Sequence, residues 1–446
     1  MDWQSKAAIG NIVDMIRSSV CAIAENTTIS QQQKTSFRTS EAIPAWVAKF
    51  SFVPPQETSI QRMFFGVIDK YNHHGCPYFR PQHTEIVLEW IGPDKSFEKN
   101  STSTNYSETD KYHHMMQGLS GSGTVFFVYG GAFYMNRQAN YRKIVSQLSS
   151  KTGLPCVTVD QRLAPQHPFP AALLDVFLAY MALLSPPPGS PHPQIPASSI
   201  VIAGDSSGGC LALGLLQLLL EIKRSGITSI KCYGRNIQLE LPAGLTILSG
   251  VADLTNSLPS YQLNAKTDVF PLGPPPSSLP GFPCCEIWPS KPPRGNVYCE
   301  TEMLCHPICC PIMAEDWTGA PPLWFASGQE QVIDGIKIVA KTASSQGVEV
   351  IFYEYESMPH TFMWVLSESP QHQKCWDDWI EACMMLVKGA SPPSRGGFVE
   401  VLGLTTKHVK IEELTHLTAK EARDLVYKAL RAFPVFVGQP HAAPKL

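Results

Sequence analysis

Charge is scarce in this sequence. Only 16% of its 446 residues are Asp, Glu, Lys or Arg, they sum to −3, and no Lys/Arg cluster stands out along the chain. A nucleic-acid reader needs a basic stripe to meet phosphates, so no nucleic-acid partner is expected, and a small molecule is. An internal repeat is also missing, which sets aside solenoids and propellers. Thirteen cysteines are present but odd in number and scattered, and the neighbours Cys284-Cys285 and Cys309-Cys310 lack the C-x-x-C spacing that lets two thiolates converge on one ion. Reduced thiols are expected, with no metal and no cofactor. A secretory leader and a long uninterrupted apolar run are not found either. Ala7 to Ile23 intersperses apolar residues with Asn11, Asp14 and Arg17, which reads as an amphipathic helix rather than a membrane span, in a soluble cytoplasmic protein.

The apolar content is ample: 44% hydrophobic residues are enough to bury a large core, and one catalytic domain with a lid and tails would absorb the length. From about Arg62, short β-rich runs alternate with helical stretches, the pattern of an α/β fold with a mostly parallel sheet covered on both faces. Candidate strands are Thr84 to Trp90, Thr124 to Tyr129, Cys156 to Val159, Ser199 to Ala203, Leu245 to Leu248, Leu323 to Ala326 and Val348 to Tyr355. Helical spacing marks Asn140 to Ser150, Pro170 to Leu184, Cys210 to Arg224, Val332 to Gln346 and Gln373 to Val387. The expected division is an N-terminal helical lid segment (1–60), a catalytic domain (61–390) with a proline-rich lid insertion at about 256–300, and a polar C-terminal tail (391–446). Within that tail, Thr418 to Ala432 reads as one helix that Thr418 and Glu421 would cap. Trp3, Trp46, Phe50 and Phe52 are candidates for an apolar pocket or for the lid's own core.

The sharpest feature is Gly204-Asp205-Ser206-Ser207-Gly208, a G-x-S-x-G between a predicted strand and a predicted helix. That context lets Ser206 project from a strained turn at the carboxyl end of a sheet, with Gly204 and Gly208 relieving the crowding. A trypsin-like protease spells its nucleophile similarly, but it is all-β and its histidine precedes the serine. Upstream, Thr124 to Tyr129 runs into Gly130-Gly131-Ala132-Phe133. Acyl transfer needs two or three preorganised donors for the oxyanion, and the backbone amides of Gly130, Gly131 and Ser207 are the candidates.

With these motifs in place, the chain resembles the hormone-sensitive-lipase-like family of α/β-hydrolases, whose members carry His-Gly-Gly-Gly and Gly-Asp-Ser-Ala-Gly-Gly at the two sites. The run Asp160-Gln161-Arg162-Leu163-Ala164-Pro165-Gln166-His167-Pro168-Phe169-Pro170-Ala171-Ala172 is similar to the family's Asp-Tyr-Arg-Leu-Ala-Pro-Glu-His-Pro-Phe-Pro-Ala-Ala. Leu304-Cys305-His306-Pro307 and Trp317-Thr318-Gly319-Ala320-Pro321-Pro322 look like fungal members, among them steryl acetyl hydrolases and esterases of secondary metabolism. Tyr129, Ala132 and Ser207 depart from the family's histidine, third glycine and alanine.

Met358-Pro359-His360-Thr361-Phe362 is similar to the family's Met-Pro-His-Val-Phe and follows the last predicted strand, which makes His360 the general base. Ser before His is the α/β-hydrolase order. The other twelve histidines are read as solvated loop residues. For the acid, Glu330 and Asp334 occupy the two places where the family shows carboxylates. Glu330 is favoured because the loop just past the strand is where the acid belongs, while Asp334 would complement a helix dipole. Asp253 and Asp205 stay off the catalytic list, Asp205 as a tie between loops. The resemblance implies a serine esterase acting on a short-chain, acetyl-like ester of a hydrophobic alcohol such as a sterol or secondary metabolite. A thioesterase or lactonase uses the same residues. A non-catalytic receptor on this fold has lost the histidine that His360 retains.

Overall fold

The computed structural model describes residues 3, 5–37, 43–73, 75–94, 106–271, 273, 275–279, 281–390 and 393–433. In chain order the strands are β1 (Ala45–Phe52), β2 (Ile86–Pro93), β3 (Thr124–Val128), β4 (Cys156–Val159), β5 (Ile200–Asp205), the separate hairpin β6 (Ser229–Cys232) and β7 (Arg235–Gln238), then β8 (Gly244–Leu248), β9 (Leu323–Gly328), β10 (Val350–Tyr355), β11 (Arg395–Val399) and β12 (Thr406–Val409). All but the hairpin join one sheet in the order β1-β2-β4-β3-β5-β8-β9-β10-β11-β12. From β4 to β11 every pairing is parallel, and β1, β2 and β12 close the edges antiparallel.

The central strands are apolar throughout because both sides are covered. In β3, Phe126 and Val128 enter one buried cluster while Val125 and Phe127 enter another; in β5, Ile200 and Ile202 divide from Val201 and Ala203 in the same way. The first face is packed by residues of α3 (Thr58–Tyr71), α6 (Ala171–Leu184), α7 (Ser206–Arg224) and α9 (Ile333–Ser345). The other is packed by α5 (Gln138–Thr152) and α11 (Pro370–Val387), with Ile9 and Val13 of α1 (Lys6–Asn26) in the same cluster. The remaining helices are α2 (Ile29–Ser36), α4 (Glu108–Gln117), α8 (Ser260–Leu263), α10 (Phe362–Val365) and α12 (Ala419–Arg431). By length and composition alone, α1 and α7 are each long and apolar enough to cross a membrane; α7 is the buried core helix, whereas α1 buries only Ile9 and Val13.

Two boundaries differ from the sequence expectation. Residues 1–60 are not all lid: β1 pairs along its whole length with β2, and Trp46 stacks on His114 and meets Tyr106 edge-on at that edge. Trp46, Phe50 and Phe52 therefore belong to a sheet edge. Residues 391–446 are not merely a tail: β11 pairs with β10, and α12 buries Ala422 and Val426 in the core. Gly396 and Gly397 hide β11 from a propensity reading, yet the fold requires them there. A Cβ on Gly396 would stand 2.5 Å from the Val409 carbonyl, and one on Gly397 2.8 Å from the Tyr353 ring. The helix at the end of this segment carries the capping box read from Thr418 and Glu421.

Candidate active site

Parallel strands share one direction, so loops leaving their carboxyl ends converge over one edge of the sheet. The loops after β3, β5, β8, β9 and β10 carry Gly130–Phe133, Ser206, Ser249, Glu330 and His360 respectively. Ser206 opens α7 with φ +50°, a left-handed conformation that costs a non-glycine residue about 1–3 kcal/mol. Burying each of Leu213, Leu215, Leu216 and Leu218 contributes ~2 kcal/mol in the same helix, which outweighs that strain. The flanking glycines have steric causes. A Cβ on Gly208 would lie 2.1 Å from the Val128 carbonyl, and one on Gly204 2.8 Å from that of Gly208.

The His360 ring lies with Nε2 2.9 Å from Ser206 Oγ and Nδ1 3.0 Å from Glu330 Oε2. The carboxylate only accepts, so Nδ1 carries the proton and Nε2 is left to accept from the serine hydroxyl. Glu330 is 0% exposed and His360 3%. Burial works against the charged imidazolium, but the carboxylates of Glu330, Asp268 and Asp205, Glu330 foremost, together outweigh it and hold the His360 pKa above its ordinary value. Glu330 is itself raised, by burial first, with His360 opposing. Phe270 lies over the imidazole with ring centroids 4.6 Å apart.

Of the two acid candidates, the structure joins only Glu330 to the histidine. Asp334 turns away in the first turn of α9 and accepts from the Ser260 amide at 2.9 Å. Asp253 caps its own turn through the amides of Thr255 and Ser257. Asp205 ties loops together: its carboxylate accepts from Gly130 N at 2.8 Å, Tyr141 OH at 3.0 Å and Trp364 Nε1 at 3.0 Å, and burial pushes its pKa up to about 6.

That first bond corrects the oxyanion assignment. The Gly130 amide is engaged by Asp205, so it is not a free donor; its glycine is needed because a Cβ would lie 2.9 Å from Ser206 Cβ. Among the described residues no acceptor engages the amides of Gly131 or Ala132. Ser207 lies in the first turn of α7, where backbone N–H groups have no partner one turn back. Its hydroxyl accepts from Phe133 N at 3.2 Å, drawing the glycine loop against the elbow. The histidines also need correction: His306 is buried, with Nε2 2.9 Å from the Ile68 carbonyl and its pKa held down to about 4 by burial, and His192 is buried as well. Among the described residues no three His, Cys, Asp or Glu side chains are grouped to hold a metal ion.

The family profile described as the α/β-hydrolase fold matches residues 125–279, which span the glycine loop and the elbow. Solved structures similar to this chain agree. A structure of the esterase EstE5 soaked with p-nitrophenyl butyrate aligns over 85% of this chain and 98% of its own, with a TM-score of 0.57 at 18% identity. The chain is an α/β-hydrolase by fold. An esterase from the bacterial hormone-sensitive lipase family aligns over the same shares with a TM-score of 0.55 and 18% identity. Sequence relatives of the chain include an esterase of Acinetobacter venetianus, 27% identical over 59% of this chain and 75% of that one. An acetyl-hydrolase of Streptomyces hygroscopicus is 26% identical over 56% and 72%.

Sequence reasoning missed Ala132, Phe270 and Asp268. Asp268 is 0% exposed, and its carboxylate accepts from the amide of His360 at 2.8 Å and that of Gln331 at 2.6 Å. Phe270 and Asp268 belong to no short motif and act through contacts between distant stretches of chain; Ala132 lies in the glycine loop itself, and only the loss of the Gly130 amide to Asp205 brings its amide forward.

Proposed function

We propose that this α/β-hydrolase is a serine carboxylic-ester hydrolase, and the observation that carries the reading is the unbroken Ser206–His360–Glu330 hydrogen-bond chain at the carboxyl edge of the sheet. Ser206 Oγ attacks the ester carbonyl carbon as His360 Nε2 takes its proton. The carbonyl oxygen becomes an oxyanion held by the amides of Gly131, Ala132 and Ser207, each donor worth about 3 kcal/mol in comparable sites. His360 returns the proton to the departing alcohol, and the acyl-serine remains. Water then attacks that acyl group with His360 again as base, releasing the acid and restoring Ser206. Glu330 stays ionised throughout, fixing the imidazole tautomer and stabilising the imidazolium.

A hydrophobic ester with a short, acetyl-like acyl group is the favoured substrate class. Phe270 over His360 and the stacked Phe133–Tyr298 pair beside Ser207 support an apolar, narrow site, and the acetyl-hydrolase relative supports a small acyl group. The likeness of the 304–322 segments to fungal esterases supports a sterol or secondary-metabolite alcohol. Turnover of p-nitrophenyl acetate, butyrate and octanoate, with Ser206→Ala alongside, tests the reading. Activity falling with chain length and vanishing in Ser206→Ala is expected. Equal activity in Ser206→Ala rejects the mechanism, and a preference for octanoate rejects the short acyl pocket.

A further inference from the structure

The proline-rich insertion after β8 is joined to the acid loop by a ladder of hydrogen bonds. Thr267 Oγ1 donates to the Gln329 carbonyl at 2.6 Å, Asn264 Nδ2 to that of Glu330 at 2.9 Å and Ser260 Oγ to that of Gln331 at 2.7 Å. Asp268 ends the ladder and reaches further than the rest. Its Oδ2 takes the Gln331 amide, one residue past the triad acid, and its Oδ1 takes the amide of His360 itself. Those two residues sit on separate loops, after β9 and after β10, which Gln329 ties near their starts: its amide donates to the Tyr355 carbonyl at 3.1 Å and its Oε1 accepts from the Ser357 amide at 2.9 Å. The Asp268 carboxylate bridges the same two loops further on, next to the catalytic pair, while Phe270, two residues on, lies against the His360 ring. The backbone of the same residue is held in turn by the N-terminal helix: Arg17 Nη1 donates to the Asp268 carbonyl at 2.8 Å and to that of Ala265 at 2.9 Å.

We infer that Asp268 is a positioning residue that couples the seating of the lid, through Arg17 of α1, to the alignment of Glu330 and His360. This rests on the ester-hydrolase reading of the same site. A buried carboxylate held only by backbone donors is an expensive way to stabilise a loop, since an apolar residue of similar size would need no such partners. What the carboxylate adds is a rigid acceptor shared by two loops, and near-attack geometry is sensitive at that scale: a shift of ~1 Å costs about a hundredfold in rate. When the lid lifts, Arg17 leaves, the ladder loosens and the triad loses its alignment, so the serine is fully reactive only under a closed lid.

The test uses the full chain. A fluorophosphonate forms a phosphorus–oxygen bond to Ser206 and expels fluoride, so its labelling rate reads nucleophile alignment without ester binding. Wild type, Asp268→Asn and Arg17→Gln are compared for labelling rate, for kcat and KM on p-nitrophenyl acetate, and for the pH profile of kcat/KM. Asp268→Asn is expected to label about a hundredfold more slowly, with kcat falling in parallel and KM little changed. Its acid limb moves to lower pH, because one of the carboxylates supporting the imidazolium, Glu330, Asp268 and Asp205, has lost its charge. Arg17→Gln slows labelling less and leaves the acid limb in place. Wild-type labelling in a cooperatively melting Asp268→Asn overturns the coupling. If Asp268→Asn does not fold, Arg17→Gln decides: slowed labelling supports the inference and an unchanged rate overturns it. A wild type that neither labels nor turns over any ester instead removes the hydrolase reading beneath it.

Discussion

At the scale of single residues, two carboxylates four positions apart in sequence do different work because the chain turns between them. Glu330 ends the β9 loop facing the imidazole, and Asp334 has already entered α9, where it fixes Ser260. Glu330→Gln is expected to lower kcat on the order of 10⁴-fold, since a neutral amide no longer selects the tautomer that leaves Nε2 free. Asp334→Asn keeps one acceptor for the Ser260 amide; kcat stays within a few fold, and stability falls by about 1–3 kcal/mol, read by urea denaturation. The pH profile belongs to this scale too. His360 is competent only when neutral, and Glu330 holds its pKa up, so kcat/KM rises with pH along an acid limb centred above 6.5, the ordinary histidine value. An acid limb below 6.5 contradicts that electrostatic balance.

Secondary-structure elements explain why Ser206 tolerates its left-handed backbone. The start of α7 is wedged against the ends of β3 and β8 with no room for side chains. A Cβ on Gly208 would enter the Val128 and Tyr129 backbone, and one on Gly209 would stand 2.9 Å from Ile247. Strands do not yield as a flexible side chain does, so Gly208→Ala must displace the helix start and Ser206 with it. A loss of roughly 3 kcal/mol in stability is expected together with loss of turnover, measured by chemical denaturation and p-nitrophenyl acetate hydrolysis. Retained activity in Gly208→Ala would mean that α7 is free to shift without moving the serine.

For the whole molecule, the segments outside the central alternation close its edges and roof its site. β1 shields one end of the sheet, β11 and β12 the other, and the insertion with α1 and α2 covers the triad loops. Truncation before residue 391 strips β11 from β10, the strand that delivers His360, and takes the buried side chains of Val399, Ile411, Leu414 and Val426 out of the core. Each buried side chain of this kind contributes ~1.5–3 kcal/mol, and a bare parallel strand invites pairing between molecules. The truncated chain is expected to aggregate and lose turnover, by light scattering and esterase assay. A monomeric, active product would show that the tail is dispensable.

By itself the sequence determined what local chemistry encodes. The apolar runs specified the inner strands and their helices, since burial on both faces demands continuous hydrophobic residues. G-x-S-x-G between a strand and a helix marked Ser206, because only glycine fits where α7 meets β3 and β5. Tertiary structure alone decided what depends on residues far apart in the chain. The glycine-bearing edge strand β11 is specified by its neighbour, not by propensity. Gly130 loses its amide to Asp205, 75 positions away, which leaves Gly131 and Ala132 as the loop's free amides. Asp268 meets His360 across 92 positions and Gln331 across 63, and no pattern in the sequence announces a carboxylate whose partners are backbone amides from two other loops.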